Sequence, residues 1–185
     1  MQQLKMLRYQ QKITPRSLPD GYRCAFFAGT DAEINDWVTI CRHGLLPENG
    51  GKECFDSCIM QYPDLIPEKN LFFVIDPSGR RVATSAAVSH PNGEGYLHMV
   101  AALPECRGKG IGHAMLSFAL EIMEAAGCTH AVLTTDDFRL PAIKTYLDGG
   151  FRPVLYHDPE SDMRERWDAV IAALRYEPVD YIREV

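Results

Sequence analysis

The sequence lacks long hydrophobic runs, and that excludes a membrane-spanning helix. Its uninterrupted apolar stretches, Leu71 to Ile75 among them, are far short of the roughly 20 residues that cross a bilayer. Met1 to Lys12 is too polar for the apolar segment of a signal peptide, so a cytoplasmic location is expected. Positive charge is also in deficit. The net charge of −6 argues against non-specific nucleic-acid binding, which needs a basic face. The same charge favours, through steering, a cationic partner such as an amine. The six cysteines include no Cys-x-x-Cys pair, and reduced thiols are expected. Cys41, His43, Cys54 and Cys58 are the nearest approach to a ligand set. Their spacing matches no common zinc module, so they read as small half-buried hydrophobes and no metal is expected. There is no internal repeat and no low-complexity tract.

With 46% hydrophobic and 24% charged residues, the 185-residue chain is ordinary globular material. Its length suits one domain over residues 1–185. Met1 to Arg16 carries Lys5, Arg8, Lys12 and Arg16 with no acid before Asp20, and reads as a flexible basic arm.

The most informative stretch runs from Tyr96 to Ala126. A β-rich segment, Tyr96 to Ala102, is followed by Leu103-Pro104-Glu105-Cys106 and then by Arg107-Gly108-Lys109-Gly110-Ile111-Gly112-His113. Ile111, Met115, Phe118 and Ile122, spaced by four, three and four, predict one buried face of a helix that stops at Gly127. A helix start carries unpartnered N–H groups and a partial positive charge, and glycines let an anion approach them. The turn therefore suits a phosphate or pyrophosphate, with Arg107 and Lys109 adding charge nearby.

Two phosphate motifs fail here. A dinucleotide fingerprint starting at Gly110 would need glycine where Met115 stands, and Gly51-Lys52 is followed by glutamate rather than serine or threonine. Arg-x-x-Gly-x-Gly, as Arg107, Gly110 and Gly112, does fit, and it resembles the coenzyme A pyrophosphate loop of the GNAT superfamily of N-acetyltransferases. A second stretch, Ala142-Ile143-x-x-Tyr146-x-x-x-Gly150-Phe151, is similar to the second signature of that family. Together the two cover about residues 70 to 156.

The order of elements agrees with this resemblance. Tyr22 to Phe27 predicts a strand, and Thr30-Asp31 caps a helix carrying Ile34, Trp37, Val38 and Cys41. Lys52 to Gln61 reads as a second short helix. Leu71 to Ile75 and Val82 to Ser89 form a hairpin across Asp76-Pro77-Ser78-Gly79, and Pro91-Asn92-Gly93 turns into the Tyr96 strand. Ala131 to Thr135, a helix starting at Pro141, and Phe151 to Tyr156 follow. Met163 to Leu174 is amphipathic, and Tyr176 to Val185 adds a last strand or packs against a second subunit in a homodimer. The resemblance implies an α/β (α+β) acyl-CoA N-acyltransferase fold. Its central sheet would be mixed and mostly antiparallel, of six to seven strands, with one parallel, splayed pair.

The resemblance also implies a chemistry: acetyl-CoA as co-substrate, and direct transfer of acetyl to a primary amine in a ternary complex. Backbone groups of Val100, Ala101 and Ala102 would bind the pantetheine arm, and Gly108, Lys109, Gly110, Ile111, Gly112 and His113 the pyrophosphate. Arg139 stands where an asparagine is common, and either reaches a coenzyme phosphate or is solvated. Tyr146 matches the tyrosine beside the acyl-donor sulfur; near its ordinary pKa of about 10 it is protonated and can supply the leaving thiolate. The base is open. Thr134 corresponds to a strand position that is glutamate in the ribosomal-protein-acetylating branch of the family and Tyr96 to the one used by histone-acetylating members, and neither is a good base. His98 shares a strand face with Tyr96 and suits proton relay. Asp136, Asp137 and a water chain are alternatives. A small-molecule amine is the expected acceptor. A module that senses acyl-CoA without turnover, and an enzyme using another acyl donor, are the competing readings.

Overall fold

A computed structural model describes residues 2–156 and 161–183. The eight strands form a sheet in the order β2-β3-β4-β5-β6-β1-β7-β8. They are β1 (Leu4–Tyr9), β2 (Arg23–Phe26), β3 (Leu71–Ile75), β4 (Arg81–Ser89), β5 (Glu94–Ala102), β6 (His130–Thr135), β7 (Arg152–Leu155) and β8 (Ile182–Arg183). The helices are α1 (Asp31–Cys41), α2 (Lys52–Phe55), α3 (Pro67–Asn70), α4 (Ile111–Ala125), α5 (Leu140–Asp148) and α6 (Met163–Leu174). The predicted mixed sheet with flanking helices is present. Within it only β5–β6 and β7–β8 are parallel.

Both faces of the sheet are covered. β3 is buried along its whole length, which a strand with one wet face would not be. Neighbouring side chains on a strand point to opposite faces. Accordingly, the Phe72 ring meets Phe118 of α4 at 4.9 Å, while Phe73 lies under the Arg81 guanidinium. Arg81 is in turn paired with Glu33 and Asp36 of α1. Glu33 also closes a capping box with Thr30, which fixes where α1 begins.

The N-terminal segment departs from the expected flexible arm. Leu4–Tyr9 is an interior strand, paired antiparallel with β6 over its whole length and with β7 at Met6 and Leu7. Its alternation is real: Leu4 and Met6 are fully buried and Lys5 and Leu7 half-buried. Arg8 conceals the pattern because it is buried as a cation, its Nε donating to the Gly149 carbonyl and its Nη2 to that of Gln11. A long basic side chain can cover an apolar face while its head finds carbonyls. This strand, with β8, takes the sheet past the expected six to seven strands. The final positions of the Tyr176–Val185 segment, 184 and 185, lie outside the described residues.

Candidate active site

The site is built where β5 and β6 part. They pair only from Glu94–His130 to Tyr96–Val132, although β5 continues to Ala102 and β6 to Thr135. Past Tyr96, the edge of β5 facing β6 has no strand partner among the described residues. β5 also carries a bulge. Thr84 pairs with Ala101 and Ala86 with His98, so three residue steps on β5 oppose two on β4. Met99 takes up the extra step with φ of 51°, a left-handed conformation uncommon outside glycine. Val100, Ala101 and Ala102 follow the bulge directly.

The strand leads through a tight turn at Pro104–Cys106 into the glycine loop and α4. Gly108 and Gly110 have φ of 74° and 78°, and a Cβ at either would touch nothing within 4 Å. The backbone conformation, not crowding, demands glycine there. Gly110 caps α4 without any side-chain hydrogen bond, and the first turn has no acidic residue. Among the described residues, no protein group accepts from the amides of 108–113. Six N–H groups at the positive end of a 15-residue helix are thus left for an anion.

The charged side chains nearby are partly engaged. Arg107 donates to the His43 carbonyl at 3.3 Å. Arg139 is half-buried rather than solvated: its Nε binds Asp136 at 2.8 Å, its Nη2 the Gly44 carbonyl at 2.6 Å, and its guanidinium lies over Phe138. Both arginines therefore hold the turn that follows α1. His113 pairs with Asp148 of α5, which leaves its backbone, not its ring, at the anion position.

Tyr146, on the inner face of α5, is buried, and burial pushes its hydroxyl pKa up. The Arg139 cation opposes this shift and Tyr96 adds to it, so all three side chains share one region. Tyr96 and Thr134 are joined hydroxyl to hydroxyl at 2.8 Å across the parting strands. Asp136 and Asp137 serve structure. Asp136 accepts from Gln3 and Arg139, and Asp137 from Arg166 in a forked pair. These donors hold both carboxyls below the usual range, which suits ion pairs and not proton uptake near neutrality.

His98 is placed otherwise. Its ring lies tilted against Tyr62 at 4.1 Å between centroids, stands 5.9 Å from Tyr96, and reaches the Cys58 carbonyl through Nε2 at 2.9 Å. Burial lowers its pKa below 6.5, and the carbonyl contact offsets part of that shift. The sequence assigned no role to Tyr62 or the Cys58 carbonyl. Pro63, just after the expected second helix, was the available signal.

The cysteines are all free thiols. Burial pushes Cys106 up, and Cys41 well up, which makes both poor nucleophiles. Among the described residues no group of three or more His, Cys, Asp or Glu side chains is arranged to hold a metal ion. No helix among them is long and apolar enough to cross a membrane. A small pocket lined by Arg8, Gln11, Leu120, Met123 and His130 lies at the start of β6, the end away from the parted strands.

Known proteins place this geometry. A mycothiol acetyltransferase of Beutenbergia cavernae is 26% identical over 143 residues, 76% of this chain and 48% of its own. One of an Arthrobacter species is 25% identical over 174 residues, 90% of this chain and 49% of its own. The chain thus spans about half the length of these curated relatives. A crystal structure of a GCN5-related N-acetyltransferase from Sphaerobacter thermophilus has the same fold, with a TM-score of 0.65 at 20% identity over 81% of this chain and 47% of its own. Residues 32–151 match the acetyltransferase (GNAT) family, and the chain belongs to that family.

Proposed function

We propose that the chain is an acetyl-CoA-dependent N-acetyltransferase that moves acetyl to a primary amine by direct attack in a ternary complex. The observation that carries this reading is the run of unpartnered amides at residues 108–113 beside two strands that diverge after Tyr96. The residues present fit the co-substrate. Six N–H groups at a helix start suit its diphosphate, and the open edge of β5 after the Met99 bulge suits its pantetheine amides. When bound, acetyl-CoA supplies the activated acetyl group.

The chain's own residues then have three tasks. His98 takes a proton from the acceptor ammonium, since it is neutral at pH 7 and Asp136 and Asp137 are committed to ion pairs. The freed amine would attack the thioester carbonyl carbon, forming the C–N bond as the C–S bond breaks, and the second proton left on that nitrogen would pass to Tyr146 once its own has gone to the thiolate. Tyr146 gives its proton to the departing thiolate; a buried phenol with a raised pKa keeps that proton until a strong base appears beside it. The raised pKa favours the acid role and disfavours a resting phenolate.

The named relatives and the acidic net charge support a small amine as acceptor over a nucleic-acid-bound one. The test is a thiol-release assay with acetyl-CoA across a panel of small amines, run beside calorimetric titration of coenzyme A. Saturable binding with turnover on at least one amine is expected. Binding without turnover on any amine would convert the reading to an acyl-CoA sensor.

A further inference from the structure

The second short helix does not run as an α-helix to its end. After α2 the chain widens into a π-helical stretch, Asp56–Met60, closed by the Gln61 amide on the Asp56 carbonyl at 2.9 Å. Such stretches are rare, and they recur at functional sites. The next donor, the Tyr62 amide, does not close Ser57, so the register lapses there, and the donor due to Cys58 would have been the amide of residue 63. Residue 63 is proline and has no N–H. The α-helical donor, the Tyr62 amide, is turned to Ile59 instead, at 3.4 Å. Cys58 is therefore left with a carbonyl that no described backbone amide takes, and His98 Nε2 takes it at 2.9 Å.

A carbonyl oxygen only accepts, so Nε2 must carry the hydrogen. In the neutral ring the lone pair then sits on Nδ1, for which the structure offers no protein partner among the described residues. Tyr62, one residue before the proline, lies against the same ring with the two planes tilted by 31°. We propose that the π-helical stretch and Pro63 act as a positioning device for His98: they reserve the Cys58 carbonyl for Nε2–H and so hold the imidazole in the tautomer whose base is Nδ1. This deepens the assignment of His98 as the base and rests on it. Pro63 and Cys58 touch no reacting atom; they act through the ring.

The experiment uses the full chain labelled with nitrogen-15 at histidine, with tautomers read from long-range nitrogen–proton correlations above the titration of His98. The Nε2–H form should dominate. An Nδ1–H form, or an even mixture, overturns the device whatever the activity. Pro63→Ala restores an amide that competes for the carbonyl; the Nε2–H population should fall, and kcat should fall severalfold with KM for acetyl-CoA unchanged. An unchanged tautomer and rate in that variant overturn the part assigned to Pro63. His98→Gln keeps a donor in reach of the carbonyl but has no titrating nitrogen. It should retain the thermal midpoint and lose about 10²–10⁴ in kcat. A fully active His98→Gln overturns the base assignment alone, independently of the tautomer measured in the native chain.

Discussion

The two sides of the cleft are made by different means. The side proposed for the coenzyme is a backbone surface: a bulged strand edge, a glycine turn and a helix start, with side chains that point elsewhere or hold neighbouring loops. The side proposed for the acceptor is a side-chain surface, where Tyr62, Tyr96 and His98 lean on one another and His98 on the Cys58 carbonyl. A backbone surface tolerates almost any side chain except where conformation demands glycine. A side-chain surface depends on each residue it uses. The contrast implies that binding of the coenzyme and turnover can be damaged separately.

The sharpest way to break this separation is Tyr146→Phe. The ring keeps its packing against Phe151 but loses the proton for the thiolate. Turnover should fall by about 10²–10⁴ with coenzyme affinity preserved, read from steady-state kinetics and a binding titration on the same variant. Equal loss of both would make Tyr146 structural. Next in size is Met6→Ala, which leaves a cavity where a fully buried side chain stood in an interior strand. It should lower stability by about 2–5 kcal/mol in urea unfolding, whereas a flexible arm would show almost none.

Gly110→Val reverses the Tyr146 pattern. A β-branched residue at φ of 78° is strained by about 1–3 kcal/mol, and the amides it carries should shift. Coenzyme affinity should drop by about tenfold, as 1.4 kcal/mol would give, with turnover at saturation nearly intact. The smallest effect is in the pH profile. His98 must be neutral to accept a proton, and burial lowers its pKa beneath 6.5. Activity should stay level as pH falls to 6.5 and decline only below it. The same shift has a stability consequence of matching sign: its contribution is full above pH 6.5 and is lost as pH falls toward the folded-state value. A decline that begins well above 6.5 would point to a different base.

The backbone side was the legible one. Gly108, Gly110 and the apolar spacing from Ile111 announced the loop and helix, because φ beyond the reach of other residues and a 3.6-residue period leave direct marks in sequence. The parting of β5 and β6 came only through resemblance, since nothing in Tyr96–Ala102 states where pairing stops. Leu4–Tyr9 was misread because three of its six residues are Lys5, Arg8 and Tyr9, and charge hid a period-two pattern. Burial of Arg8 depends on carbonyls of Gln11 and Gly149, the second far away in sequence. What sets the proposed base apart from the other candidates was hidden for a similar reason. His98 is distinguished from an ordinary strand histidine by its contact with a carbonyl 40 positions earlier, in a helix that changes register ahead of a proline.

The central claim is that amides 108–113 grip the diphosphate of coenzyme A beside the open edge of β5. Calorimetric titration of coenzyme A into the native chain, repeated with Gly110→Val, tests it most directly. One saturable site in the native chain and a clearly weaker one in the variant are predicted. No heat of binding in the native chain, or equal affinity in both proteins, would contradict the account.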